Sequence, residues 1–284
     1  MRLKNLALLS TSLVALGLSA TASQAAATMG RVDMGFTEWF DNYDYGGSNS
    51  RDYNWTSVTG SARVNIPYND RTNLQLDFFG DASLHGSGGE GANGIGNGGV
   101  GAHINWRDPS EGLLGVFMAT GRVWDFYASA PAFMAGLEGQ YYCGHWSFYG
   151  QAGYMDSDGN YRFLENAGFV RGLVSYYPSS KLKVTVGLAY IDGELDHTYN
   201  ATSWAWQAGG EYRFGKSVPV AVGLKYQGRD AQVHYSPSYT PELNSNEVTL
   251  SFSFLFGGDS IEESDEMGTS TEIPNFDWFR QPYD

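Results

Sequence analysis

A repeated alternation of apolar and polar residues with period two limits the folds that this chain can adopt. Twelve segments carry it from about residue 30 onward, and clusters of Gly, Asn, Asp, Ser and Pro separate them. The alternation predicts twelve β-strands, at residues 31–40, 55–66, 72–82, 99–106, 113–122, 132–142, 146–155, 167–177, 182–191, 203–214, 218–228 and 246–256. Most have the length of about 9–11 residues with which a tilted strand crosses a bilayer.

The links between these segments alternate strictly in length. Those after odd-numbered segments have at least nine residues, and those after even-numbered segments have at most six. An up-and-down barrel in an outer membrane has short periplasmic turns at one end and long exterior loops at the other. A soluble sandwich with Greek-key crossovers has no reason to sort its loops in this way. We therefore predict an all-β fold: a closed antiparallel transmembrane β-barrel of about twelve strands, spanning residues 28–257.

The composition agrees with a barrel. Mean hydropathy is -0.33, and no segment has the 18 nearly uninterrupted apolar residues that a helical span of the mature chain requires. A barrel strand is apolar only at alternate positions, so its average hydropathy resembles that of a soluble protein. The net charge of -14 argues against a nucleic-acid partner, which would require a basic surface.

Within each strand, aliphatic and aromatic residues define the parity that faces lipid, and charged residues take the opposite parity. Glu38 is the clear exception, close to the exterior end of its strand. The turn at 67–71 predicts that Arg63 lies opposite Gln75 and diagonal to Asp77. The predicted lumen-lining residues are Asp33, Arg63, Asp77, Asp81, His103, Glu138, Arg171, Lys183, Glu211, Arg213, Lys225 and Glu247.

Aromatic residues on the lipid-facing parity collect at the two ends of the strands. Amphipathic rings prefer the headgroup level on each side of a bilayer, so this placement predicts two aromatic girdles. The girdle next to the short turns comprises Trp106, Trp146, Tyr176, Phe214 and Phe256, and the girdle next to the long loops comprises Tyr154, Tyr190, Trp204 and Tyr226.

The N-terminus has the pattern of an export signal. Arg2 and Lys4 precede a mostly apolar run at 6–18, and small residues up to Ala27 offer cleavage sites. We predict that residues 1–27 are a cleaved signal peptide.

The closing strand at 247–256 reads EVTLSFSFLF and alternates aromatic residues up to Phe256. In this strand, and in its architecture as far as Gly257, the chain resembles outer-membrane β-barrel, porin-like proteins of Gram-negative bacteria. The resemblance implies the outer membrane as location. It also implies outer-membrane lipids and lipopolysaccharide, together with the barrel assembly machinery, as partners. The sequence leaves the oligomeric state open.

Residues 258–284 continue past the closing strand, and we call them the tail. The tail has eight acids, one base and an aromatic cluster from Phe276 to Phe279. An even number of strands places the tail in the periplasm. Its acidic first half is expected to be disordered. Two alternatives remain for the aromatic end: disorder, or docking on a periplasmic partner or inside the barrel mouth.

Function depends on the lumen, where the predicted charges are nearly balanced. We predict a channel for passive diffusion of ions or small polar solutes, and acidic exterior loops give it a cation preference. The alternatives are a closed barrel that serves as a structural anchor or adhesin, and an outer-membrane lipase or protease. No residue spacing indicates catalytic residues or a cofactor. The clusters at Asp156–Asp158 and at Asp192, Glu194, Asp196 and His197 are weak metal candidates, so no metal is predicted.

Overall fold

The computed structural model describes residues 28–46, 50–87, 94–125, 127–158, 162–215, 218–237, 239–269 and 272–282. The predicted signal peptide at 1–27 lies outside the described residues. Among the described helices, none is long and apolar enough to cross a bilayer.

Within these ranges, twelve antiparallel strands form one closed barrel, in which each strand pairs with its neighbours in the chain and β1 pairs with β12. The predicted fold is confirmed. The strands are β1 Met29–Asp44, β2 Ser50–Pro67, β3 Thr72–Ser87, β4 Gly96–Asp108, β5 Gly112–Trp124, β6 Ser129–Cys143, β7 Trp146–Ser157, β8 Glu165–Ser179, β9 Leu182–Leu195, β10 Tyr199–Gly215, β11 Val218–His234 and β12 Glu242–Phe256.

Strand β1 shows how the alternation produces two surfaces. Met34 and Phe36 point outward and are 64% and 55% exposed, whereas Thr37 and Trp39 point inward and are buried. Closure gives backbone N–H and C=O groups partners on both sides of each strand, which a sheet needs in order to cross lipid. Alternating side chains therefore place an apolar surface against the membrane and a mainly polar surface around the lumen.

The long links are shorter than predicted because the strands continue beyond the alternating segments. The predicted link at 192–202 is an example: β9 and β10 run on to a turn at 196–198, where Asp196 and His197 adopt left-handed φ angles of 54° and 52°. Outside the hydrocarbon, an outward side chain need not be apolar. The alternation therefore stops while strand pairing continues.

The tail differs most from its prediction. It contains a helical turn at Ile261–Glu263, a π-helical stretch at Ser264–Thr269 and a 3-10 turn at Phe276–Phe279. Its acidic first half, for which disorder is predicted, is ordered at the short-turn end. The tail enters the barrel there, and its aromatic end lies inside the lumen near the long loops, as one of the alternatives for this end proposes. Complementary charges and apolar contacts along the lumen compensate for the entropy lost on ordering it.

Candidate functional site

The charged inner surface of the barrel borders a cavity of about 370 Å³. Of the twelve predicted lumen-lining residues, His103, Glu138 and Arg213 lie buried in the barrel away from this cavity. The other nine line it: Asp33, Arg63, Asp77, Asp81, Arg171, Lys183, Glu211, Lys225 and Glu247.

An ion-pair network crosses β1, β2 and β10 on one side of the cavity. Arg31 Nη2 lies 2.7 Å from Asp33 Oδ1 and 3.0 Å from Glu211 Oε1. Arg63 Nη2 lies 3.3 Å from the other oxygen of Asp33. Ser253 Oγ donates to Asp33 Oδ1 at 2.6 Å. These bonds hold the side chains against the wall.

A second network joins β3, β4, β6 and β7 around one histidine. His103 Nδ1 lies 2.9 Å from Glu138 Oε2, and His103 Nε2 lies 3.3 Å from Asp77 Oδ2. Gln75 Nε2 donates to Asp77 at 2.8 Å, and Tyr149 Oη donates to Glu138 at 2.9 Å. The imidazole is fully buried between two carboxylates, so it braces four strands against one another.

The predicted register of the β2–β3 hairpin is wrong by two residues. Arg63 lies opposite Asp77 rather than Gln75, because β2 continues through Pro67, which pairs with Asn73. The prediction places Pro67 in the turn, but a proline is tolerated at the end of a strand, where its missing N–H breaks no ladder hydrogen bond.

The first part of the tail is fixed at the short-turn end. Ile261 is buried in a cluster with Tyr177 and Leu255, and its backbone N–H donates to the Ser180 carbonyl at 3.1 Å. Tyr177 Oη donates to Asp265 at 2.7 Å. Lys183 on β9 lies 2.6 Å from the same carboxylate.

Halfway along the lumen, Glu272 pairs with Arg171 and lies 3.8 Å from Arg63 Nη1. Its backbone carbonyl accepts a hydrogen bond from Gln151 Nε2 at 2.9 Å. Burial opposes ionisation of Glu272, but the charges of Arg171, Arg63 and Lys225 outweigh this effect and lower its pKa to about 2. The tail therefore supplies a carboxylate to a basic stretch of the wall.

The aromatic end of the tail fills an apolar part of the lumen near the long loops. The ring of Phe276 lies 4.7 Å from that of Phe79, and Trp278 meets Phe169 edge-on at 5.9 Å between centroids. The Phe279 carbonyl accepts from the Leu164 N–H at 2.9 Å. Inward side chains of β5 to β11 complete this cluster. Buried apolar area is the main stabilising contribution here.

Arg280 holds the end of the tail against β1 and β2. Its Nη1 lies 3.3 Å from Asp41 Oδ2, and its Nε donates to Asp277. Its guanidinium carbon lies 5.2 Å and 5.0 Å from the ring centroids of Trp39 and Trp55. Both ends of the tail are thus anchored to the barrel wall.

The space that remains beside the tail is lined by both charged and apolar side chains, and its charged groups include slightly more carboxylates than bases. The bases that line it are Arg31, Arg63, Arg171, Lys183 and Lys225, and the carboxylates are Asp33, Asp77, Asp81, Glu211, Glu247, Asp265 and Glu272. The charged groups of this lining are compatible with water and small ions.

The predicted girdle residues lie on the outer surface. Trp146 and Tyr176 contact each other near the short turns at 4.5 Å between ring centroids, and Tyr190 contacts Trp204 near the long loops at 4.8 Å. Tyr190 and Phe256 are partly exposed, whereas the other seven residues are exposed, namely Trp106, Trp146, Tyr154, Tyr176, Trp204, Phe214 and Tyr226.

The family model for Gram-negative porins matches residues 15–232, which is more than half of the chain. The chain belongs to the Gram-negative porin family. As a porin-family protein it is located in the outer membrane.

Solved structures with a similar fold include an outer membrane channel from Pseudomonas putida F1. It is 16% identical to this porin-family protein with a TM-score of 0.55, and the match covers 83% of this chain and 97% of that one. A FadL homologue from Pseudomonas aeruginosa is 10% identical with a TM-score of 0.45, and the match covers 80% of this chain and 90% of that one. The KdgM porin is 7% identical with a TM-score of 0.44, and the match covers 77% of this chain and 98% of that one. No curated protein matches the chain significantly.

The imidazoles of His103, His145 and His197 each pair with a carboxylate rather than with a hydroxyl or thiol nucleophile. Within the described ranges, no three His, Cys, Asp or Glu side chains converge as metal ligands.

The prediction omits four charged barrel residues that contact the tail or the ion-pair networks. They are Arg31, Asp41, Arg107 and Arg229. Each has the inward parity of its strand. Arg31 lies within the predicted strand at 31–40, and a longer alternating window would include the other three. In contrast, no local pattern indicates the roles of Glu272 and Arg280, because their partners lie far away in the chain.

Proposed function

We propose that this porin-family protein is a channel for the passive diffusion of ions or small polar solutes, with a modest preference for cations. The observation that carries the proposal is the cavity of about 370 Å³ beside the tail, with its many charged groups. Charged side chains that are fixed to a wall stabilise hydrated ions without binding them tightly, as conduction requires.

The excess of carboxylates over bases around the cavity supports the cation preference. Acidic residues at the exterior end, including Asp44, Asp52 and Asp192, add to the negative potential there. Such a potential raises the local concentration of cations, and salt screens it over a Debye length of about 8 Å at physiological ionic strength.

A planar bilayer containing the purified full-length protein tests this proposal. Discrete conductance steps are expected, and the reversal potential in a salt gradient should indicate cation preference that decreases at high salt. A silent bilayer, from protein that still shows a heat-dependent gel shift, would refute the channel.

The second candidate is a closed barrel with a structural or adhesive role. It is favoured by the aromatic end of the tail, which fills the apolar part of the exterior lumen. In both cases we propose that outer-membrane lipids and lipopolysaccharide cover the exposed apolar surface, and that the barrel assembly machinery inserts the chain.

A further inference from the structure

The contacts of Arg280 define a pocket for a guanidinium group at the exterior end of the lumen. We propose that Trp39, Trp55 and Asp41 form a binding site for guanidinium-bearing solutes, which the tail's own Arg280 occupies at rest. The proposal rests on the proposed channel for the route by which a solute arrives, but binding itself is measurable without conduction.

Two stacked indoles form one side of the pocket. Trp39 and Trp55 are directly opposite each other in the β1–β2 pair, with ring centroids 5.4 Å apart and ring planes 15° apart. Trp39 Nε1 donates to Ser57 Oγ at 2.9 Å, and Ser57 donates to Asp81 at 2.7 Å. Barrel residues alone therefore fix the orientation of the Trp39 ring. Aromatic faces within about 6 Å attract a guanidinium cation.

A buried carboxylate forms another side. The Asp41 side chain is 0% exposed, one of its oxygens accepts from Ser245 Oγ at 2.6 Å, and the other lies 3.3 Å from Arg280 Nη1. Arg229 is close, but its Nη1 donates to the backbone carbonyl of Asp277. A buried charge that loses its partner is costly, so withdrawal of Arg280 would leave a site that favours another cation.

The shape of the pocket favours guanidinium over ammonium. One planar cation contacts two indole rings and a carboxylate at the same time, as Arg280 does. An ammonium group is compact and strongly hydrated, and it lacks a planar face to place against the rings. The site is also part of the barrel, so it persists when the tail moves.

The test uses full-length Arg280→Ala protein in detergent, with methylguanidinium as the probe and methylammonium as the matched control. Saturation-transfer NMR on the probe's methyl protons reports binding. We expect millimolar methylguanidinium to bind the variant at least about tenfold more strongly than methylammonium does. Wild-type protein should give no signal, because Arg280 fills the site.

Adding Asp41→Asn to Arg280→Ala should abolish the signal. If this double variant loses the heat-dependent gel shift that marks a folded barrel, Trp55→Leu replaces Asp41→Asn. Equal binding by wild type and Arg280→Ala, equal binding of the two probes, or a signal that survives in the folded double variant would each overturn the site. A silent bilayer with intact probe binding would refute the channel and leave the site standing.

Discussion

Arg171 on β8 and Glu272 of the tail form an ion pair halfway along the lumen, although they are 101 residues apart in the sequence. Arg63 on β2 approaches the same carboxylate from another part of the wall. Glu272 is therefore the point at which the tail is bound to two different strands. Substitution of Glu272 therefore tests how strongly this ion pair holds the tail in the lumen.

Glu272→Gln should weaken docking of the tail. The substitution leaves two basic side chains without their shared carboxylate, and loss of a charged hydrogen-bond partner at a half-exposed site costs about 1–3 kcal/mol. Arg280 is the only basic residue of the tail, so trypsin cleavage after it reports undocking. Cleavage should be about tenfold faster than in wild type. The control is Met267→Ala, at an exposed position of the tail, which should leave the rate unchanged.

Trp278→Ala should release the aromatic end of the tail. Trp278 is 5% exposed against Phe169, and removal of a buried Trp side chain typically costs about 3–5 kcal/mol. The same trypsin assay should show a larger increase than Glu272→Gln produces. Met267→Ala, at an exposed position of the tail, is the matched control. Equal cleavage rates of Trp278→Ala and Met267→Ala would contradict the role of aromatic packing.

Deletion of residues 259–284 should increase single-channel conductance. The tail occupies lumen space from the short turns to the long loops, whereas the strand pairs that close the barrel involve no tail residue. The deleted protein should keep its heat-dependent gel shift and conduct several-fold more current than the full chain. An unchanged conductance would show that the tail does not limit the path.

Docking of the tail should weaken as pH rises from 4.5 to 7. Burial, followed by the neighbouring charges of Glu262, Asp265 and Glu263, raises the pKa of Glu266 from 4.5 to about 7. The docked tail therefore binds this proton more tightly than the free tail does. Protonation of Glu266 favours docking at low pH, and this one contribution to docking is lost completely above about pH 7.

Conductance fluctuations recorded at pH 5 and pH 8 test this dependence. Open events should be about tenfold more frequent at pH 8, a value that allows for solvent screening of the half-buried group. Glu266→Gln should remove most of the difference. A pH response that is unaltered in this variant would assign the titration to other groups.

His103→Ala should destabilise the barrel itself. Without the imidazole, the buried carboxylates of Asp77 and Glu138 lose their shared partner, which costs about 3–5 kcal/mol. The temperature at which the gel band shifts should fall by several degrees. His234→Ala, at an exposed position at the end of β11, should have no effect. If both variants shift at the wild-type temperature, the histidine does not brace the strands.

The sequence indicated the strands because period-two alternation is a local property. A strand between lipid and lumen must change polarity at each residue, so the pattern shows where the strand lies and which parity faces inward. The alternation weakens where strands leave the hydrocarbon. For this reason the sequence pattern predicts a loop where β9 and β10 extend to the turn at 196–198.

The amino-acid sequence alone is sufficient to predict a twelve-stranded barrel with an apolar outer surface and a charged lumen. Which charges meet, and where the tail lies, depends on the folded barrel. Arg280 contacts Asp41, which is 239 residues away in the sequence, and Glu272 contacts Arg171, which is 101 residues away. No periodicity carries such information, because these contacts arise only after the barrel closes and brings distant strands around one lumen.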